Sequence, residues 1–186
     1  FCKCAADIGI AGTGLDPRPD AGRIVARRLA CRPDAPPKVV RTLAFDDSIA
    51  VAAPVLIRSE RLTDSDLVEN ARTKSQDHLQ AITQRSSLSE TVTDVLIERG
   101  ESRIIHLVVR NKGARFSDDG FGKLVSKARG DEALARYVGA RRDIPRHHFL
   151  KLLETASAEV RARLIAANPA SPFASVMMSG SIPACS

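Results

Sequence analysis

The sequence predicts an all-α fold in which short helical hairpins stack on one another, and three observations lead to this prediction. Apolar residues recur at helical spacing along most of the chain. Segments 76–85 and 101–110 can be aligned, which places Leu79 on Ile104. The first apolar residue of each predicted first helix recurs after 25, 30, 25, 30 and 26 residues, at Ile24, Ile49, Leu79, Ile104, Leu134 and Val160. A period of this size is typical of a solenoid of stacked helical hairpins.

The composition fits one helical repeat domain. The 186 residues are 44% hydrophobic but only 4% aromatic, without Trp, so Leu, Ile, Val and Ala must fill the core. We place the repeat domain at residues 21–168. Residues 1–20 are rich in Gly and Pro and predict a disordered leader, and the Pro/Ser-rich residues 169–186 predict a disordered tail.

Prolines separate or interrupt the first three predicted helices. A helix from Ala21 ends before the proline-rich segment 32–37, and Pro36 and Pro37 then suit the first turn of a second helix. The third helix runs to about Ile57 and contains Pro54, which removes one backbone hydrogen bond. HEAT repeats commonly have a proline inside the first helix of the hairpin. The predicted fold is therefore a HEAT-like alpha-alpha superhelix.

The second helices of the hairpins share one starting pattern. A large apolar residue precedes a capping or first-turn residue in Leu62-Thr-Asp, Leu88-Ser-Glu, Phe116-Ser-Asp and Ile144-Pro-Arg. In three of these, a second apolar residue follows five places later, which is the spacing of the hydrophobic staple. Counting all such signals predicts eleven helices between Ala21 and Ala167.

Several short motifs recur in a fixed order and carry a family resemblance. They are Ala35-Pro-Pro37, Val40-Arg-Thr-Leu-Ala-Phe-Asp46, Ile49-Ala-Val-Ala-Ala-Pro-Val-Leu56, His78-Leu-Gln-Ala-Ile82, Val92-Thr-Asp-Val-Leu96, Asn111-Lys-Gly-Ala114 and Arg141-Arg-Asp-Ile-Pro145. Together they resemble the bacterial family known as domain of unknown function 2336, over residues 21–167. The resemblance implies HEAT-like helical repeats and carries over no catalytic residue. The leader and the segment after Asn168 lie outside it.

Basic residues are concentrated in the second half of the chain. The net charge is +6, and residues 103–151 hold 12 basic against 5 acidic side chains. We expect this excess to gather on one concave surface, with Lys123, Lys127 and Lys151 in it. The candidate partner-binding residues are Arg85, Arg110, Lys112, Arg115, Lys123, Lys127, Arg141, Arg142, Arg146 and Lys151.

Some of these basic residues have a second interpretation. The ends of predicted first helices carry a series of such residues: Arg85, Arg110-Asn111, Arg141-Arg142 and Asn168. They either form a ladder of donors for a partner's carboxylates or phosphates, or complete helix ends. In the second case Asn takes the left-handed conformation and Arg complements the negative end of the helix.

We expect no metal, no cofactor and no catalytic activity. Adjacent residues on a helix point about 100° apart, so His147 and His148 are not expected to share a ligand face. Cys2 and Cys4 lack a second ligand pair at zinc spacing. The glycine segments and serines fit no phosphate-binding or nucleophile motif.

The predicted function is a protein-binding scaffold or regulatory adaptor whose partner is another protein with an acidic segment. Nucleic-acid backbone binding is the alternative, and the scarcity of aromatic residues counts against it. The sequence shows no membrane helix and no signal peptide, so a cytoplasmic location without membrane contact is expected. The oligomeric state is left open.

Overall fold

A computed structural model describes residues 19–167, in which eleven α-helices are joined by short loops. Its helices are α1 (Pro19–Ala30), α2 (Pro37–Ala44), α3 (Ile49–Arg58), α4 (Asp64–Thr73), α5 (Gln76–Thr83), α6 (Glu90–Arg99), α7 (Ser102–Arg110), α8 (Asp118–Lys127), α9 (Glu132–Gly139), α10 (Arg146–Thr155) and α11 (Ala158–Ala167). The number predicted from the sequence is confirmed for the described residues. The predicted leader, apart from the start of α1, and the predicted tail lie outside them.

The helices form two rows. In the first row, each odd-numbered helix from α1 to α11 packs on the next odd-numbered helix. In the second row, α4, α6, α8 and α10 pack in the same way, and α2 joins α4 through the Arg41–Glu69 ion pair at 2.6 Å. Neighbours in sequence pack across the rows. Each helix therefore contacts partners that lie close to it along the chain.

The second-row helices begin where the sequence predicts. Thr63 and Asp66 form a capping box at the start of α4, and the Ser117 side chain accepts a hydrogen bond from the backbone N–H of Gly120 in α8. The rings of Phe116 and Phe121 lie 5.4 Å apart, which confirms one predicted staple. Ser89 precedes α6 without making a side-chain cap.

The predicted core markers are confirmed in the middle of the chain and fail at its beginning. Leu79, Ile104 and Leu134 are at most 2% exposed. Ile49 is only partly buried, and Ile24 is 50% exposed. Ile24 fails as a marker because it lies on the exposed side of α1, whose buried residues are Ala26 and Ala30, whereas Val160 in α11, at the other end of the row, is 3% exposed.

One β-bridge joins two loops, and it is the only extended pairing among residues 19–167. Leu88 donates its backbone N–H to the carbonyl of Gly113 at 3.1 Å and accepts from the N–H of Arg115 at 3.0 Å. A Cβ at Gly113 would lie 1.8 Å from the carbonyl oxygen of Ser86, so this approach requires glycine. The bridge fixes the loop before α8 on the loop before α6.

Candidate partner-binding surface

Arg85 is turned inward rather than toward a partner. Its guanidinium donates to the carbonyls of Leu56 at 2.6 Å and Ser59 at 2.9 Å, at the C-terminal end of α3. Burial lowers the pKa of Arg85 below its ordinary value. Arg85 therefore completes the backbone hydrogen bonding of the previous first-row helix.

Arg141 makes the same kind of contact two first-row helices later. Its guanidinium donates to the carbonyls of Val109 at 3.0 Å, Asn111 at 2.9 Å and Ala114 at 2.7 Å, which follow one another around the end of α7. It also lies 4.5 Å from the centre of the Phe116 ring. The side chain is 10% exposed, so it is part of the packed interior.

Asn111 fills the position between these two arginines in the first row. Its side-chain amide donates to the carbonyls of Thr83 at 2.9 Å and Arg85 at 2.7 Å, at the end of α5. Its backbone is extended, with φ −70° and ψ 116°, so the predicted left-handed conformation is wrong.

These three residues form one series of contacts between hairpins. The ends of α3, α5 and α7 are completed by donors that follow α5, α7 and α9. In the second row, Arg99, the last residue of α6, donates likewise to the carbonyls of Ala71 and Arg72 at the end of α4. The terminal carbonyls of a helix have no hydrogen-bond donors within that helix, and here side chains of the next hairpin donate to them. We therefore remove Arg85 and Arg141 from the candidate surface.

The lysines of the second row remain exposed. Lys123 and Lys127 lie one turn apart on α8, and Lys151 occupies on α10 the position that Lys123 has on α8. None of the three makes an ion pair within residues 19–167. Other basic side chains do form ion pairs, as in Lys74–Asp47 at 2.5 Å. The three lysines form what we call the lysine patch.

The remaining basic candidates are spread over other parts of the fold. Arg110 belongs to the first row, where it lies 5.3 Å from the centre of the Tyr137 ring. Lys112, Arg115 and Arg142 are exposed in the loops between helices, and Arg146 is the first residue of α10. The basic candidates are thus divided between the two rows and the loops, and their gathering on one concave surface stays a prediction.

The histidines differ from the sequence expectation. Nε2 of His147 and Nε2 of His148 lie 3.1 and 3.2 Å from the same carboxylate oxygen of Asp118. The expectation that these histidines share no ligand face is wrong, because both side chains turn toward α8. His106 of α7 pairs with Asp131 at the start of α9, at 2.7 Å.

Comparison with known proteins places the chain in a family. The sequence model of an uncharacterised protein conserved in bacteria, domain of unknown function 2336, matches residues 51–178. The chain belongs to this family. The DUF2336 match begins at residue 51 rather than at residue 21 and extends ten residues beyond Asn168, so both predicted bounds of the resemblance are corrected. No curated protein and no solved structure matches the chain.

Two DUF2336 motifs now have a structural explanation in this chain. In the motif beginning at Asn111, the asparagine caps α5 and Gly113 allows the loop bridge. In the motif beginning at Arg141, the arginine caps α7.

None of the described helices is both long and apolar enough to cross a membrane.

Proposed function

We propose that this chain is a HEAT-like solenoid that acts as a protein-binding scaffold or regulatory adaptor in the bacterial cytoplasm. The partner is a protein with an acidic segment, and the lysine patch binds it. We place the second row on the concave side of the solenoid, since second helices line that side in HEAT-type stacks. Extended surfaces of this kind usually bind polypeptide chains.

The unpaired state of the lysine patch is the observation that carries the proposal. The three lysines lie on two helices that pack on each other, and none of them makes an ion pair within residues 19–167. Each ammonium is a compact charge with three donors on a flexible stem. A flexible acidic segment can adapt to charges spaced in this way.

The structure offers a nucleic acid few stacking groups. Tyr137, the single tyrosine, is partly buried against His106 and Arg110 in the first row, and Phe116, Phe121 and Phe149 are buried. Binding to single strands relies on exposed aromatic rings. The proposed class of partner is therefore a protein.

The test measures binding of a fluorescent poly-glutamate peptide and of a duplex DNA by anisotropy at low salt. The wild-type chain should bind the peptide and not the DNA. Lys123→Glu/Lys127→Glu should abolish peptide binding, because it reverses two of the three charges in the patch. Lys38→Glu/Arg61→Glu changes the net charge equally at exposed sites remote from α8 and should leave peptide binding intact.

Two outcomes would contradict the proposal. Equal weakening by both double substitutions would show that net charge, not the lysine patch, attracts the peptide. Binding to DNA of any sequence, with a steep loss as salt rises, would instead support the nucleic-acid alternative.

A further inference from the structure

Asp118, His147 and His148 bring three potential metal ligands together between two helices. Their ligand atoms all lie within 4.8 Å of one another. Asp118 is the first residue of α8, and the histidines lie in the first turn of α10, the next helix of the second row. The cluster lies outside the lysine patch and has no role in the function proposed above.

Two of the three distances between these atoms match those of a tetrahedral metal centre. Zinc binds imidazole nitrogen at about 2.0–2.1 Å and carboxylate oxygen at about 2.0–2.2 Å, so neighbouring ligand atoms of a tetrahedron lie about 3.3 Å apart. The two Nε2 atoms lie 3.1 and 3.2 Å from Oδ1 of Asp118. We propose that these three side chains bind a divalent transition-metal ion of the zinc class.

Packing already holds the ring of His148 in place. The side chain of His148 is 9% exposed, and its ring lies 6.2 Å from that of Phe121. Its Cε1 atom also lies 3.4 Å from where a Cβ on Gly122 would stand, so the backbone of α8 closes one side of the ring. The rings of His147 and His148 are 4.0 Å apart. The side chain of His148 therefore loses little conformational entropy when the ion binds.

The rest of the cluster gives an ion access. The side chains of Asp118 and His147 are 67% and 64% exposed, so an ion reaches the site from solvent and keeps water as a fourth ligand. Two imidazoles and one carboxylate suit zinc, nickel or cobalt, whereas calcium and magnesium prefer oxygen ligands. The partial positive charge at the two helix N-termini weakens binding. We expect micromolar affinity and a link that ties α8 to α10.

The buried nitrogen of His148 adds a second observation. Its Nδ1 atom is buried without a hydrogen-bond partner among the described residues. A buried polar atom without a partner is costly and uncommon in folded proteins. Nε2, which points at Asp118, is thus the only polar contact of this ring. A metal bond at Nε2 would place the ring proton on Nδ1, where no acceptor lies among the described residues, so the expected affinity is lower than that of a site with a complete second shell.

The experiment titrates the untagged full chain with zinc chloride by calorimetry, and with cobalt chloride by absorption spectroscopy. One zinc ion should bind per chain and raise the melting temperature. Asp118→Asn and His147→Gln change exposed side chains and leave the packing of His148 intact. Loss of outer-shell partners alone weakens metal binding about 10–100-fold, so loss of a ligand should cost more than about 100-fold.

Asp119→Asn is the matched control, because it removes the same charge from the neighbouring exposed carboxylate. It should leave affinity and stoichiometry as in the wild type. Absence of zinc binding at millimolar concentration would overturn the proposal. Equal affinity in all three variants would overturn it too, as would thiolate charge-transfer bands in the cobalt spectrum, which would place the ion on cysteine.

Discussion

At the scale of single residues, the arginines at the ends of helices show how a charged side chain serves the fold. Arg141 reaches three carbonyls that belong to the end of α7 and the loop after it. A planar guanidinium donates several hydrogen bonds in fixed directions, which a lysine ammonium cannot reproduce. The charge that suggested a binding surface from the sequence is thus used inside the protein.

Arg141→Lys should therefore destabilise the fold although it keeps the charge. Leaving buried carbonyls without donors costs about 1–3 kcal/mol, and we expect a loss of that size in the free energy of unfolding measured with urea. Arg142→Lys is the control at the exposed neighbouring position, where a change within about 0.5 kcal/mol is expected. Equal effects of the two substitutions would contradict the assigned role of Arg141.

The lowered pKa of Asp131 should make the stability of the fold depend on pH. Burial alone would raise the pKa of Asp131, but hydrogen bonds from the backbone of Leu134 and from the His106 ring outweigh it and lower the pKa. Because the pKa is lower in the folded state, the charge stabilises the fold above the unfolded value of about 3.9. This stabilisation is lost as the pH falls through the folded value.

The test compares the wild type with Asp131→Asn, since Asn keeps the capping oxygen without the charge. At neutral pH the wild type should have the higher free energy of unfolding. The difference should shrink as the pH falls below about 3.9, where the carboxylate becomes protonated. A difference that stays constant between neutral and acidic pH would show that the charge of Asp131 contributes nothing.

At the scale of helices, local signals predicted the elements well. Thr63 and Ser117 cap the helices that follow them, and the apolar pair Phe116 and Phe121 packs as its spacing requires. These signals act within a few residues, so a sequence pattern contains them. Burial of a marker also depends on which side of its helix faces the neighbouring helices, which explains why Ile104 is buried and Ile24 is not.

The two markers give a matched pair of substitutions. Ile104→Ala removes a side chain that is 2% exposed and should cost about 2–5 kcal/mol, as large-to-small changes in a core do. Ile24→Ala makes the same change where the side chain is 50% exposed and should cost less than about 0.5 kcal/mol. Thermal and urea unfolding measure both. Similar losses at the two positions would mean that burial does not distinguish them.

Contacts between distant residues are what the sequence did not reveal. The guanidinium of Arg141 donates hydrogen bonds to carbonyls of residues that lie 27 to 32 positions earlier in the chain. No local sequence pattern connects the arginine with these carbonyls. The histidine pair was missed for a related reason. The 100° rule concerns where side chains leave the helix, whereas His147 and His148 bend toward Asp118, which lies about 30 residues away. The sequence therefore identified the basic residues, but it did not show that Arg85 and Arg141 bind carbonyls within the fold.

At the scale of the whole molecule, the two rows explain how the chain holds together. Each helix packs on helices one or two places away in sequence, and the end-of-helix donors link the same neighbours. Stability in such a chain is approximately a sum of local terms between adjacent units. A substitution that destabilises the helices at one end of the chain should therefore leave the helices at the other end unaffected.

Hydrogen exchange of backbone amides, followed by mass spectrometry, tests this central claim most directly. Leu56→Ala in α3 and Leu152→Ala in α10 remove equally buried leucines near opposite ends of the described chain. We predict that Leu56→Ala speeds exchange in α1 to α5 and leaves α9 to α11 unchanged, and that Leu152→Ala does the reverse. Equal acceleration in all eleven helices by either substitution would contradict the account, because it would show one indivisible core.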